Sequence, residues 1–315
     1  MTLYFGVDVG GTSIKTALVT ATGQIIVKQA FATQSESSVE HICLKLRGVL
    51  KESLQQTKHK LADVAGVGVG LPGFLDLRNG IILKLPNIGW ENIPFIDIAE
   101  DVFGLPVVME NDAKVAALAE SWTGAGRNAL VLVCVTVGTG VGGGFVLHRH
   151  LYRGVNGMAG EVGHLTVDRN GLACHCGRRG CLETVASATA MIRRAKELQQ
   201  AGQMPSQVAI DDAKTIFDLA AQGDEAAQQV VRETADWLGY GLSMIAGTIN
   251  PDTILIGGGV STAGDAFLKP VTDAFRRYAL DLVSQAATIA PAQLGNDAGV
   301  IGASRLVSTR ESLRR

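Results

Sequence analysis

The chain has 315 residues, 47% of them hydrophobic and 18% charged, a balance that suits a packed globular protein of about two domains. That composition excludes a mainly disordered chain, a coiled coil and a collagen-like repeat. A net charge of −2 leaves no broad basic surface and argues against nucleic-acid binding, and no apolar run approaches the roughly 20 residues of a membrane span. The opening residues, Met1 to Gly6, lack the basic segment and cleavage site of a signal peptide, so a cytoplasmic location is expected.

Taken in order, Leu3 to Val9, Ile14 to Val19 and Ile25 to Phe31 are short apolar runs separated by Gly10-Gly11-Thr12 and Thr22-Gly23. They predict a β-hairpin and a third strand. Residues 39–56 place Val39, Ile42, Cys43, Leu46, Val49, Leu50 and Leu54 at helical spacing. Val64 to Leu71 reads as a buried strand ended by Pro72-Gly73. A helix closing at Phe103, a strand from Val107 to Glu110, and a helix from Asp112 to about Trp122 follow. Leu130 to Val137 is the next strong strand, followed by Gly138-Thr139-Gly140 and a further apolar run at Phe145-Val146-Leu147. This repeats the first glycine turn 128 residues later and suggests a duplicated nucleotide-domain core. Residues 225–249 predict one long helix, and Thr253 to Ile256 a strand ending in Gly257-Gly258-Gly259. The expected domains are a smaller one over 1–117, rejoined by a C-terminal helix at about 299–315, and a larger one over 118–298.

Phosphate needs several backbone N–H groups aimed at one point, and glycine turns permit that because no Cβ blocks the approach. Gly10-Gly11-Thr12 and Gly138-Thr139-Gly140 each offer such a nest, with Lys15 a nearby positive charge. Neither is a P-loop, and each is followed by a strand rather than the helix of a Rossmann turn. Read singly, either turn is equally a plain hairpin.

Five cysteines are present, and Cys174, Cys176 and Cys181 fall within eight residues. In a reducing compartment that spacing suggests metal rather than disulfide. Three thiolates and one imidazole would fill a tetrahedral zinc site and leave no open position, which is a structural site. The fourth ligand is His164 or His175; His164 is favoured because His175 lies between two thiol ligands. Cys43 and Cys134 fit apolar core positions. Asp112 follows a strand and opens a helix, so it reads as a helix cap or as a carboxylate able to accept a hydroxyl proton. Glu161 and Glu183 flank the cysteine cluster; each alone reads as a solvated or paired carboxylate, whereas zinc folding that segment would fix both around one pocket with His164, suited to sugar hydroxyls.

Together Asp8-Val9-Gly10-Gly11-Thr12-Ser13-Ile14-Lys15, Pro72-Gly73, Glu110-Asn111-Asp112-Ala113, Gly138 to Gly144, Glu161-Val162-Gly163-His164 and Cys174 to Glu183 resemble the ROK family of sugar kinases, in particular its bacterial glucokinases. The resemblance extends through Gly257-Gly258-Gly259 and so covers nearly the whole chain. It implies an α/β, two-domain actin/Hsp70/hexokinase-like ATPase fold, a duplicated ribonuclease H-like core with a structural zinc loop. It also implies ATP-dependent phosphorylation of a hexose 6-hydroxyl, glucose first. N-acetylmannosamine, N-acetylglucosamine, fructose or allose are the alternative sugars, and polyphosphate is an alternative donor. Carried over residue by residue, Asp112 resembles the catalytic base. Gly73, Asn87, Asn111, Glu161, His164 and Glu183 resemble sugar contacts, and His164, Cys174, Cys176 and Cys181 the zinc ligands. Gly10, Gly11, Thr12, Gly138, Thr139 and Gly140 resemble phosphate contacts, with Gly257 and Gly258 at the adenosine and Asp8 holding Mg²⁺ through water. The resemblance implies a homodimer or homotetramer. The family also contains repressors that carry an extra N-terminal helix-turn-helix. Here Asp8 arrives almost at once, so a sugar-responsive regulator is the weaker expectation.

Overall fold

The computed structural model describes residues 1–33, 38–85 and 88–309. Contacts divide the chain into two compact units. One comprises Met1–Arg127, Arg149–Ala159 and Asn296–Arg315, the other Asn128–His148 and Gly160–Gly295.

In the first unit, β1 (Leu3–Val9), β2 (Ser13–Thr20) and β3 (Ile25–Ala32) form the expected antiparallel meander. Helix α1 (Val39–Thr57) begins at Ser38, whose hydroxyl accepts the His41 N–H, and turns its apolar face inward through Ile42, Leu46 and Leu50. Strand β4 (Val64–Leu71) follows, then β5 (Phe74–Asp76), β6 (Ile81–Leu85) and β7 (Trp90–Ile93), which make a separate small sheet. Helix α2 (Phe95–Phe103) closes at the expected residue, with Gly104 in the left-handed conformation as its C-cap. Strand β8 (Val107–Asn111) then runs directly into α3 (Asp112–Trp122). The main sheet has the order β3-β2-β1-β4-β8, with β1, β4 and β8 mutually parallel. The C-terminal helix, Ala298–Thr309, packs on β1 and β4. It lies so close that a Cβ on Gly68 would overlap the carbonyl of Ala303. The expected helix at about 299–315 is thus described as far as Thr309; residues 310–315 lie outside the described residues.

The second unit repeats the plan. Strands β9 (Val131–Val137) and β10 (Val141–Leu147) form an antiparallel hairpin around the second glycine turn. Parallel to β9 runs the strand Thr253–Gly257, and beyond it Thr288–Pro291. The core of this unit joins Val133, Val135, Ile254 and Ile256 of the sheet to Leu238 and Leu242 of the helix Glu225–Ile249. That helix spans the predicted residues, capped by Asp224 at one end and by a left-handed Asn250 at the other. The short helix α4 (Glu183–Ala186) and α5 (Ala188–Gln200) follow the cysteine segment. Among the described residues no helix is long and apolar enough to cross a membrane. Cys43 and Cys134 are buried, as read from their apolar neighbours.

Candidate active site

In an open α/β sheet, ligands meet the carboxyl ends of the parallel strands, where backbone N–H groups and turn side chains converge. In the first unit those ends carry Asp8 and Gly10 (β1), Gly73 (beyond β4), and Asn111 with Asp112 (β8). A Cβ on Gly70 would lie 3.8 Å from both the Asp112 Cα and the Asp8 Oδ1, so the Asp112 backbone and the Asp8 carboxylate both lie beside that glycine. Asp8 pairs across β1 and β2 with Lys15. Burial raises the Asp8 pKa above its ordinary value, and the positive charge of Lys15 partly opposes the rise. The Lys15 Nζ lies 3.4 Å from Asn296 Oδ1. Gly10 N–H closes its turn onto Ser13 O at 2.9 Å, which removes that amide from a phosphate nest. Gly11 and Thr12, next in the turn, are exposed.

The cap reading of Asp112 needs correction. Asn111 is the N-cap of α3, its Oδ1 accepting the N–H groups of Ala113 and Lys114 at 3.0 and 3.3 Å. With the oxygen so committed, the Asn111 amide nitrogen is the end able to donate elsewhere. Asp112 is the first helical residue, and its Oδ1 accepts the Ala113 N–H at 2.8 Å, which orients the carboxylate plane. Asn87 lies outside the described residues.

Three charged groups to which the sequence analysis gave no role meet at the junction of β8 and α3. Glu110, 1% exposed, accepts from Arg153 Nε at 2.6 Å, and the buried Lys114 donates Nζ to the Gly157 carbonyl at 2.5 Å. These bonds clasp the stretch Arg149–Ala159 onto β8 and α3. The available signal was charge inside apolar runs, Glu110 after Met109 and Lys114 before Val115. Removing one partner of a buried ion pair leaves the other charge uncompensated. Glu110→Ala is therefore expected to lower stability by about 3–5 kcal/mol, read as a fall in the thermal midpoint. A shift equivalent to less than about 1 kcal/mol would show the pair to be solvated and unimportant.

In the second unit the turn after β9 is held by hydrogen bonds to its own carbonyls. Gly138 O accepts from Ala188 N–H at 2.8 Å, and Thr139 O from the Thr189 hydroxyl at 2.7 Å. Gly138 N–H is itself committed to Gly140 O at 2.9 Å. Gly257 ends the neighbouring parallel strand, and Gly258 follows against the backbone of Val137. Glu161 and His164 bracket a single 3-10 turn, Val162–His164, which packs on β10. A Cβ on Gly163 would overlap the Val141 carbonyl, which is the physical reason for glycine in the Glu-x-Gly-His segment.

The ligating atoms of His164, Cys174, Cys176 and Cys181 all lie within 4.8 Å of one another. His164 Nδ1 is 3.7 Å from Cys174 Sγ, and Cys176 Sγ is 3.6 Å from Cys181 Sγ. A tetrahedron with Zn–S of about 2.3 Å and Zn–N of about 2.0–2.1 Å has edges of roughly 3.5–3.8 Å, so the four groups fit zinc in number, chemistry and spacing. His175 is directed elsewhere, its Nδ1 3.3 Å from Glu183 Oε1. Burial, helped by the neighbouring thiols, pushes the Cys181 thiol up to about 12. At Cys176 burial acts the same way, but the Arg178 N–H and the adjacent thiols outweigh it and the thiol falls below its ordinary value.

A model described as the ROK family matches residues 4–310. The glucokinase of Halalkalibacterium halodurans is 44% identical over 317 aligned residues, spanning 98% of this chain and 96% of that protein. Two solved structures are similar over nearly their full lengths. The ROK hexokinase of Thermus thermophilus has 34% identity and a TM-score of 0.86, covering 98% of this chain and 99% of its own. The ROK family glucokinase of Streptomyces griseus, solved with glucose and AMPPNP, has 36% identity and a TM-score of 0.80, covering 96% and 98%.

Proposed function

The chain belongs to the ROK family, and from that premise we propose that it is a glucokinase-type hexose kinase, transferring the terminal phosphoryl group of ATP to the 6-hydroxyl of glucose. The observation that supports this over an ATPase without a small substrate is the Glu161–His164 turn, whose His164 ring nitrogen lies within 4.8 Å of three thiols. Such a turn presents a carboxylate and an imidazole from a rigid support, as sugar hydroxyls require. His164 would face the metal with Nδ1 and the sugar with its other ring nitrogen.

In this reading Asp112 accepts the proton of the attacking hydroxyl, its plane held by the Ala113 N–H. Asn111 donates its amide to a sugar hydroxyl, and Glu161, His164 and Glu183 receive or donate the remaining sugar hydrogen bonds, with Gly73 alongside. Gly11, Thr12, Thr139 and Gly140 offer N–H groups to the phosphates, Gly10 and Gly138 shape their turns, and Lys15 adds positive charge. Gly257 and Gly258 would lie along the adenosine. Mg²⁺, bound with the nucleotide near Asp8, would neutralise phosphate charge. Zinc, held by His164, Cys174, Cys176 and Cys181, would supply a fixed anchor for the loop. A dimer or tetramer, acting in the cytoplasm, completes the proposal.

A coupled assay across glucose, mannose, fructose, allose, N-acetylglucosamine and N-acetylmannosamine, with ATP or polyphosphate as donor, tests it. Glucose-dependent release of ADP, with the highest kcat/KM for glucose, is the expected result. ADP release at one rate with and without sugar would overturn the kinase assignment, and a preference for another hexose would overturn the glucose assignment.

A further inference from the structure

Glu183 lies two residues beyond Cys181, and its two carboxylate oxygens serve different structures. Oε2 accepts the N–H of Val141 at 3.0 Å and occupies the place a Cβ on Gly140 would take, so the carboxylate sits directly against the glycine turn. Oε1 faces the cysteine loop, 3.3 Å from His175 Nδ1 and 4.0 Å from Cys174 Sγ. The side chain is 15% exposed. The same short stretch of chain grips the turn twice more, through Ala188 N–H on Gly138 O and the Thr189 hydroxyl on Thr139 O. Between these grips Ser187 caps α5, its hydroxyl accepting the Ala190 N–H at 3.1 Å. Residues 181–189 therefore form one continuous piece. One end is a metal-ligand candidate, and the remainder holds three backbone groups of the phosphate turn.

We propose that Glu183, besides facing the sugar, is a positioning residue for the nucleotide turn, and that closing the cysteine loop on zinc raises nucleotide affinity through it, with no sugar present. The inference rests on the kinase reading of the turn at Gly138–Gly140. A turn held in its binding conformation loses less conformational freedom when phosphate arrives, so an anchor that orders it adds affinity without touching the ligand. Linkage makes the effect reciprocal: bound nucleotide must tighten zinc by the same factor.

The test is calorimetric titration of the full chain with Mg²⁺–AMPPNP in the absence of sugar, on wild type and Glu183→Ala, each zinc-replete and zinc-depleted. Depletion is expected to weaken wild-type binding about tenfold. Glu183→Ala with zinc bound should weaken it by a similar factor, and depleting the variant should add less than about threefold. Hydrogen exchange in a peptide covering 138–142 should quicken in depleted wild type and in the zinc-replete variant, while β9 keeps its protection. Affinities equal within about twofold throughout, the outcome if Glu183 serves sugar alone, would overturn the proposal, as would effects that multiply. Should depletion unfold the unit, seen as lost protection in β9, the zinc-replete variant decides: unchanged affinity and exchange overturn the proposal, and weakening of both upholds it. Absence of AMPPNP binding to zinc-replete wild type would remove the kinase reading and this inference together, whereas normal binding that ignores both zinc and Glu183 removes this inference alone.

Discussion

Asp112→Ala is expected to lower kcat for glucose phosphorylation by at least about 10²-fold while glucose KM changes by less than about fivefold. Asp112 opens α3 directly after the carboxyl end of β8, and in the proposed mechanism its carboxylate takes up a proton as the hydroxyl attacks. That interaction develops in the transition state, so its loss falls on turnover rather than on sugar binding. Asp112→Asn should behave alike, because an amide keeps the shape but cannot accept the proton. The structure also supplies a control. Since Asn111 rather than Asp112 caps α3, removing the carboxylate leaves the cap in place and forfeits the bond from the Ala113 N–H together with a favourable place at a helix N-terminus, the latter about 0.3–1 kcal/mol. The thermal midpoint should therefore stay near that of wild type and zinc content should not change. A variant whose kcat remains within tenfold of wild type would show that another group takes the proton.

Cys176→Ala should lose zinc and hexose phosphorylation together. The four candidate ligand atoms lie within 4.8 Å of one another, and three would not hold a structural ion with comparable affinity. Without it His164 loses its link to the three thiols, and although backbone bonds such as Leu182 N–H on Leu165 O still join the two stretches, the proposed sugar contacts lose a rigid side-chain anchor. Metal analysis and a glucose assay on the same preparation decide the matter; a full zinc complement with normal activity would refute the site. Acidification should act in the same direction as the mutation. In the metal-free site the Cys181 thiol is pushed up to about 12, and the Cys174 thiol is also raised by burial, so zinc must displace protons to bind. Protons compete more strongly as pH falls, and the zinc dissociation constant should rise steadily from pH 8 to pH 6. A constant that stays flat over that interval would contradict thiolate ligation.

How far the site could be read without coordinates differs from residue to residue. The ligand group was legible because its chemistry is crowded into Cys174 to Cys181, with only the choice of histidine left open; the geometry places His164 among the thiols and turns His175 toward Glu183. The roles of Asn111 and Asp112 were less legible, since adjacent polar residues at a strand-to-helix junction can each cap the helix, and only the hydrogen bonds distinguish them. The small sheet of β5, β6 and β7 left little trace, because strands of three to five residues with mixed burial carry no clear period.

By itself the amino-acid order determined the local elements: the meander at β1 to β3, the helix from 225 to 249, the two glycine hairpins and the metal-ligand spacing. Each follows from side-chain period or turn chemistry acting over a few residues. Tertiary structure alone decided that Arg153 would meet Glu110, that Lys114 would reach the Gly157 carbonyl, and that Glu183 would divide its oxygens between the glycine turn and the cysteine loop. These partners stand 42 or 43 residues apart in the chain, apart from the neighbours His175 and Glu183. No local pattern records such pairs, because it is the packing of whole elements, not the preference of any one of them, that brings a buried charge within reach of its counterpart.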